Sequence, residues 1–306
     1  MPGATFGLPL HIMIDFLLNS VLIVCYNNQE RSLDRRAKME QCRLCKCTDK
    51  PLKESHIIPK MFYNALKQNS PTCIMRTADD PNRGVQDGLK LPFLCGECEE
   101  LFSKYERAFS NRIYKKARAN YGEIKFESKD DALSYFLLSV AWRVIKYTRE
   151  TDKTTLTECE LEKMGGIIEA WRRILYDENM EEIRKVQQFI IPTKNLRFFE
   201  NIPFRVHDNV MIDFKTFDEE NTFNFAFTIV QVPYFIFITT VWGNTDTMKQ
   251  YQLGKTIKSY RSTLPKNITK CLEDLHFKKY FEATDKLSEK QRKLIEERVE
   301  NAQKHK

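Results

Sequence analysis

Two cysteine pairs constrain this chain more than any other feature. Cys42 and Cys45 form one C-x2-C pair and Cys95 and Cys98 a second, with 49 residues between them. That spacing turns two sulfurs to one side of a tight knuckle at a zinc–sulfur distance of about 2.3 Å, and two knuckles complete a closed tetrahedral site. Any fold must therefore bring residues 42–45 and 95–98 together around a structural zinc. A four-sulfur shell leaves no position for a substrate, so the metal contributes folding energy rather than chemistry. Cys47 could compete with Cys45, although its offset suits a knuckle less well. Cys25, Cys73, Cys159 and Cys271 have no spaced partner and read as ordinary thiols. Nine cysteines in 306 residues are too sparse for a disulfide scaffold, which points to a reducing, cytoplasmic setting.

With 42% hydrophobic residues the chain can bury a core. Its net charge of +7 favours polyanionic partners only mildly, because 49 basic residues face 42 acidic ones on what reads as a mixed, solvated surface. Residues 8–26 are apolar over 19 positions, close to the length of a membrane span. His11, Asp15 and Asn19 interrupt that run four apart on one helical face, and no basic residue precedes it. A membrane anchor is therefore not expected. Residues 1–38 read as an arm or a non-native upstream extension, 39–127 as the cysteine-bearing module, and 128–306 as a C-terminal region expected to carry target or partner recognition.

Beyond the module, Ser128 and Asp131 resemble a capping box, and Leu133, Phe136, Leu137, Val140, Val144 and Tyr147 recur at helical spacing, which predicts a buried helix. A second helix is expected over 156–177, weakened in its middle by Gly165 and Gly166. From 186 to 243, short runs rich in Phe, Ile and Val predict an antiparallel meander. The charged end from about 284 predicts a helix with a thin apolar stripe of Leu287, Leu294, Ile295 and Val299. The fold class is α+β, a zinc-stapled module followed by a helical and β-meander region.

Between the knuckles lies Ser55-His56-Ile57-Ile58-Pro59, and a strand turns through Cys95 and Cys98 into a helix. This combination resembles the ββα-metal nucleases of the His-Asn-His (HNH) type, over about residues 40–110. More narrowly, SHIIPK, QDG, LCGECE and the Ser139–Arg143 "SxxWR" run resemble bacterial HNH endonuclease-like proteins. The resemblance implies a hydrolase that cuts phosphodiester bonds of nucleic acid, with DNA as the expected partner and a catalytic Mg or Mn beside the structural zinc. It places His56 as general base, a role suited to a neutral imidazole with a pKa near 6.5. Two positions depart from the family: its acid before the histidine is Ser55 here, and its orienting Asn has no clear counterpart. Glu99, directly after the last cysteine, is the candidate ligand for the catalytic ion, with Glu106 and Asp87 as assisting carboxylates.

Arg83 is a candidate phosphate contact, and Arg107, Arg112, Lys115, Lys116 and Arg118, with Tyr105, Phe109 and Tyr114 interleaved, form a candidate nucleic-acid-binding stretch. Each residue has a plainer rival. His56 can be a satisfied core histidine, Glu99 a helix N-terminal charge, Arg83 and Asp87 an ordinary loop pair, and the basic stretch a solvated helix face. The alternative to a nuclease is a degenerate zinc-binding module that binds nucleic acid or a protein without cutting.

Overall fold

The computed structural model describes residues 22–25, 41–70, 72–119, 130–151, 156–193, 209–219, 223–243, 266–274 and 281–304. The first part contains β1 (Leu22–Cys25), β2 (Leu52–His56), α1 (Lys60–Asn69), β3 (Met75–Thr77), β4 (Gly84–Val85) and β5 (Lys90–Cys95). Helix α2 (Gly96–Phe109) runs through a π-helical turn at Ser110–Tyr114 into α3 (Lys115–Ala119). Then come α4 (Asp131–Thr151), α5 (Glu158–Tyr176), α6 (Met180–Lys185), β6 (Gln188–Pro192), β7 (Val210–Glu219), β8 (Phe223–Val232) and β9 (Phe235–Trp242). Helices α7 (Lys266–Glu273), α8 (Phe281–Asp285) and α9 (Glu289–Lys304) follow. The architecture is α+β, as its sequence pattern predicts.

Two sheets form. β2 and β5 make an antiparallel pair with Leu52 opposite Cys95 and His56 opposite Lys90, and an irregularity falls between Lys53 and Glu54. The other strands form one sheet in the order β4-β3-β1-β7-β8-β9-β6. β7, β8 and β9 are the expected meander, and β6 extends it antiparallel to β9. The β8–β9 turn is Pro233–Tyr234: proline presets the φ of the first turn position, and Tyr234 takes φ 78° at the second. β1 lies parallel to both β3 and β7, so four residues of the segment read as an arm join the sheet between the module and the meander. The rest of the apolar run 8–26 lies outside the described residues.

Helix α4 passes through the centre of the structure. Nearly its whole surface is buried, which explains why apolar residues extend beyond a single stripe. Its cap is Asp130, whose carboxylate accepts from Leu133 N at 3.1 Å, while Ser128 lies outside the described residues. α5 starts at a full capping box of Thr157 and Glu160 and continues unbroken through Gly165 and Gly166. Gly165 serves packing, because a Cβ there would sit 3.0 Å from Arg149 Nη2 on α4.

An aromatic cluster joins the cysteine module to the meander. Phe109 stacks on Phe136 at 4.1 Å and meets Phe237 edge-on at 5.8 Å, while Phe62 packs on Phe237 at 6.0 Å. One core thus runs across the boundary expected at residue 127. The charged C-terminal helix packs through Ile295 and Val299, with Leu294 only half-buried and Leu287 buried in the turn before it. The Asn82 side chain holds the turn before α9, donating to Lys286 O at 2.9 Å and accepting from Ser288 N at 2.8 Å.

Because Phe109 bridges both halves of this core, Phe109→Ala is expected to cost about 3–5 kcal/mol of stability. A single cooperative denaturant transition shifted by that amount checks it; two separate transitions would contradict the shared core.

Candidate metal centre and histidine site

The first knuckle closes by backbone hydrogen bonds, Cys42 N to Cys47 O at 2.9 Å and Lys46 N to Cys42 O at 3.0 Å, with Lys46 at φ 67°. The second knuckle forms where β5 ends at Cys95 and α2 supplies Cys98 in its first turn. The sulfurs of Cys42, Cys45, Cys95 and Cys98 all lie within 4.8 Å of one another. Cys45 Sγ and Cys95 Sγ are 3.7 Å apart, and the Cys95 N–H donates to Cys42 Sγ at 3.3 Å. Cys42, Cys95 and Cys98 are buried, and Cys45 is half-buried.

The donor set fits zinc. Soft thiolates in a closed four-sulfur shell are the usual structural-zinc donors. Zinc with four thiolates carries two net negative charges, and cations lie around the first knuckle: Lys46 feels the charges of Lys146, Arg172 and Arg43. Arg172 also donates to Leu44 O at 2.6 Å, inside the knuckle itself. Hydrogen bonding from Cys98 holds the Cys42 thiol down at about 4, while the same contact pushes Cys98 up. So close a set shares its protons unequally, and a bound divalent ion would displace them. Cys47 lies beside the set, its sulfur 3.2 Å from that of Cys45.

His56 ends β2. Its Nε2 meets Asp87 Oδ1 at 2.8 Å, and the same oxygen accepts from Gly88 N at 2.9 Å. The other Asp87 oxygen pairs with Lys90. A carboxylate can only accept, so Nε2 carries the proton and Nδ1 is left as the base. Nδ1 has no hydrogen-bond partner among the described residues and is not among their buried, unsatisfied atoms. Burial pushes the Asp87 carboxyl up, but Lys90, His56 and the Gly88 N–H outweigh it and hold the group well below the usual carboxylate range. The loop is held by Tyr63, whose ring would lie 2.0 Å from any Cβ at Gly88.

The backbone of His56 is fixed as well. Arg143 of α4, 3% exposed, donates to His56 O at 2.9 Å, to Ser139 O at 3.2 Å and to Glu106 Oε1 at 2.9 Å, with its guanidinium 5.2 Å over the Phe102 ring. Trp142, beside it, donates to Ile168 O at 3.1 Å and so ties α4 to α5. The SxxWR run is thus the part of α4 that fixes the histidine strand.

The predicted residues divide accordingly. Asp87 meets His56, and Glu106 is the counter-ion of Arg143. Glu99 sits half-buried in the first turn of α2, with no hydrogen bond or ion pair among the described residues. Ser55 is buried, its hydroxyl accepting from Leu94 N at 3.2 Å and donating to Lys53 O at 3.3 Å. Among the described residues no other group of three or more His, Cys, Asp or Glu converges, so His56, Asp87 and Glu99 do not form a common donor set. Arg83 is exposed and does not pair with Asp87.

In the basic stretch Arg107 pairs with Glu100, Arg112 with Asp130, and Lys115 donates to Asn111; Lys116 and Arg118 are exposed. Tyr105, Phe109 and Tyr114 are buried, so the interleaved aromatics belong to the core and offer no stacking surface. Two contacts of His56 escape a reading of spacing: Asp87 as the group that orients its ring, and Arg143 as the group that holds its carbonyl. The signals for them were the Asp87-Gly88 turn just before β5 and the arginine closing SxxWR.

No family profile, no curated protein and no solved structure matches the chain. Among the described residues no helix is long and apolar enough to cross a membrane.

Replacing Cys98 by Ser is expected to abolish binding of one metal equivalent and to lower the thermal midpoint, measured by metal analysis and calorimetry. A second outcome concerns pH. The depressed Asp87 carboxyl contributes stability that is present above the unfolded value near 4 and is lost as pH falls toward the folded one. The stability gap between the native protein and Asp87→Asn, from denaturant titrations at several pH values, should therefore be constant near neutrality and close on acidification.

Proposed function

We propose that this chain is an endonuclease of the ββα-metal type, hydrolysing phosphodiester bonds of nucleic acid, with DNA the expected substrate. The observation that carries this reading is the Nε2–Asp87 hydrogen bond, which leaves Nδ1 of His56 as an open base on a zinc-clasped hairpin. In this reading His56 Nδ1 takes a proton from water as its oxygen attacks phosphorus and the bond to the leaving oxygen breaks. Asp87 holds the ring tautomer and stabilises the imidazolium that forms, and Arg143 keeps the strand from shifting. The zinc only supports the fold.

A magnesium or manganese ion would stabilise the charge on the phosphate. Glu99 is the carboxylate left to hold it, since Asp87 and Glu106 are committed to His56, Lys90 and Arg143. One carboxylate falls short of a protein-built shell. The same observation, with Ser55 turned into the hairpin, favours a second reading in which the module binds nucleic acid and cuts nothing.

Incubating plasmid DNA, or RNA in parallel, with the zinc-loaded protein and Mg²⁺ or Mn²⁺ separates the two. Nicking that falls at least about a hundredfold in His56→Ala, at unchanged zinc content, is expected for the nuclease. A salt-sensitive gel shift without cleavage selects the second reading, and equal cleavage by both proteins removes His56 from the mechanism.

A further inference from the structure

β1 stands between two strands that are not paired with each other. Leu22, Ile23 and Val24 lie parallel to Met75, Arg76 and Thr77 of β3, and Val24 and Cys25 lie parallel to Val210 and Met211 of β7. Through β1 the pair β4-β3 of the cysteine module joins the β7-β8-β9-β6 meander in one sheet. The flanking residues are deeply buried: Met75, Val210 and Met211 have no exposed surface, and Arg76 has 5%. Without β1 their main-chain groups would face a gap of about 9–10 Å, twice the ordinary strand spacing, and each group left unpaired there would cost about 1–3 kcal/mol. The gap is a slot for one extended strand parallel to both walls.

No tight turn fixes β1 in that slot. Parallel neighbours cannot be joined by a hairpin, and the next described residue after Cys25 is Gln41. The roughly 15 residues between them span up to about 50 Å, enough to reach the slot of an adjoining molecule.

We propose that the slot between β3 and β7 is a strand-binding site that accepts residues 22–25 of a second copy in place of its own, giving a strand-exchanged dimer. Each slot takes one strand, so two copies that trade β1 fill both slots with none left over, and the assembly closes as a two-fold dimer. The pairings of β1 are the same in both arrangements, so concentration decides between them. A tethered strand meets its own slot at an effective concentration on the order of millimolar. Own-chain filling therefore dominates in dilute protein, and exchange grows as the protein approaches that concentration. Exchange of β1 is independent of whether the protein cleaves nucleic acid.

Register partners supply the test. Val24 and Thr77 face each other across β1 and β3, within the reach of a disulfide. Full-length Val24→Cys protein is mixed with full-length Thr77→Cys protein in a glutathione redox buffer, and disulfides are mapped by mass spectrometry. A single chain carrying both substitutions is expected to form the 24–77 disulfide within itself. The mixture is expected to form the same disulfide between two chains, in a yield that rises with protein concentration. That yield should lie about tenfold above the one from Val24→Cys mixed with Lys293→Cys, whose exposed position on α9 reports random collision. A double variant that closes its own disulfide while the mixture gives no more than the collision control would overturn the exchange. Failure of the double variant to form the disulfide would overturn the slot itself.

Discussion

Four sulfurs forced into one small volume determine where much of this protein can go. At the 3.7 Å separating Cys45 and Cys95, two thiolates repel by about 4 kcal/mol even at an effective dielectric of about 20. Protons shared among the sulfurs relieve this, and the contact between Cys42 and Cys98 moves the former down and the latter up. A divalent cation removes the need to share, and Arg172, Lys46 and their neighbours offset the remaining charge. Once the knuckles are joined, the register of β2 against β5 follows: Leu52 opposite Cys95 places His56 opposite Lys90, beside the Asp87 turn.

The clasp fixes the hairpin only at its cysteine end. The histidine end is held by Arg143, and there the energetics are less forgiving. A guanidinium stays charged, so burying it at 3% exposure is tolerable only with its donors satisfied. His56 O, Ser139 O and Glu106 satisfy them, and the Phe102 face adds a cation–π contact. Glu106 therefore has its place in the structure whether or not the protein is an enzyme. Removing Glu106 would leave the buried Arg143 charge without its counter-ion, beside the strand end that carries His56.

What could be read from the sequence was local and periodic. The C-x2-C spacing identified the four converging sulfurs, the 3.6-residue repeat from Leu133 to Tyr147 identified α4, and the alternating Phe, Ile and Val runs identified the meander. What could not be read depends on partners distant in the chain. Glu106 looked like a spare carboxylate because spacing places it on a helix face but says nothing of Arg143, 37 residues later. Tyr105, Phe109 and Tyr114 looked interleaved with basic residues, yet one helix can turn its aromatics to the core and its cations to solvent. The short β1 pairs with β3 and β7 through main-chain hydrogen bonds, which leave little trace in side-chain pattern.

Asp87 orients the His56 ring through its contact with Nε2, and the choice of a carboxylate has chemical consequences. An amide can accept or donate after rotation, whereas an ionised carboxylate only accepts, so it specifies the Nε2–H tautomer. Lys90 neutralises part of the carboxylate charge. The histidine ring is thus held in one tautomer by its own surroundings. The cleaving and non-cleaving readings part at the metal, where Ser55 supplies no carboxylate and Glu99 stands as the sole uncommitted candidate among those the sequence singled out.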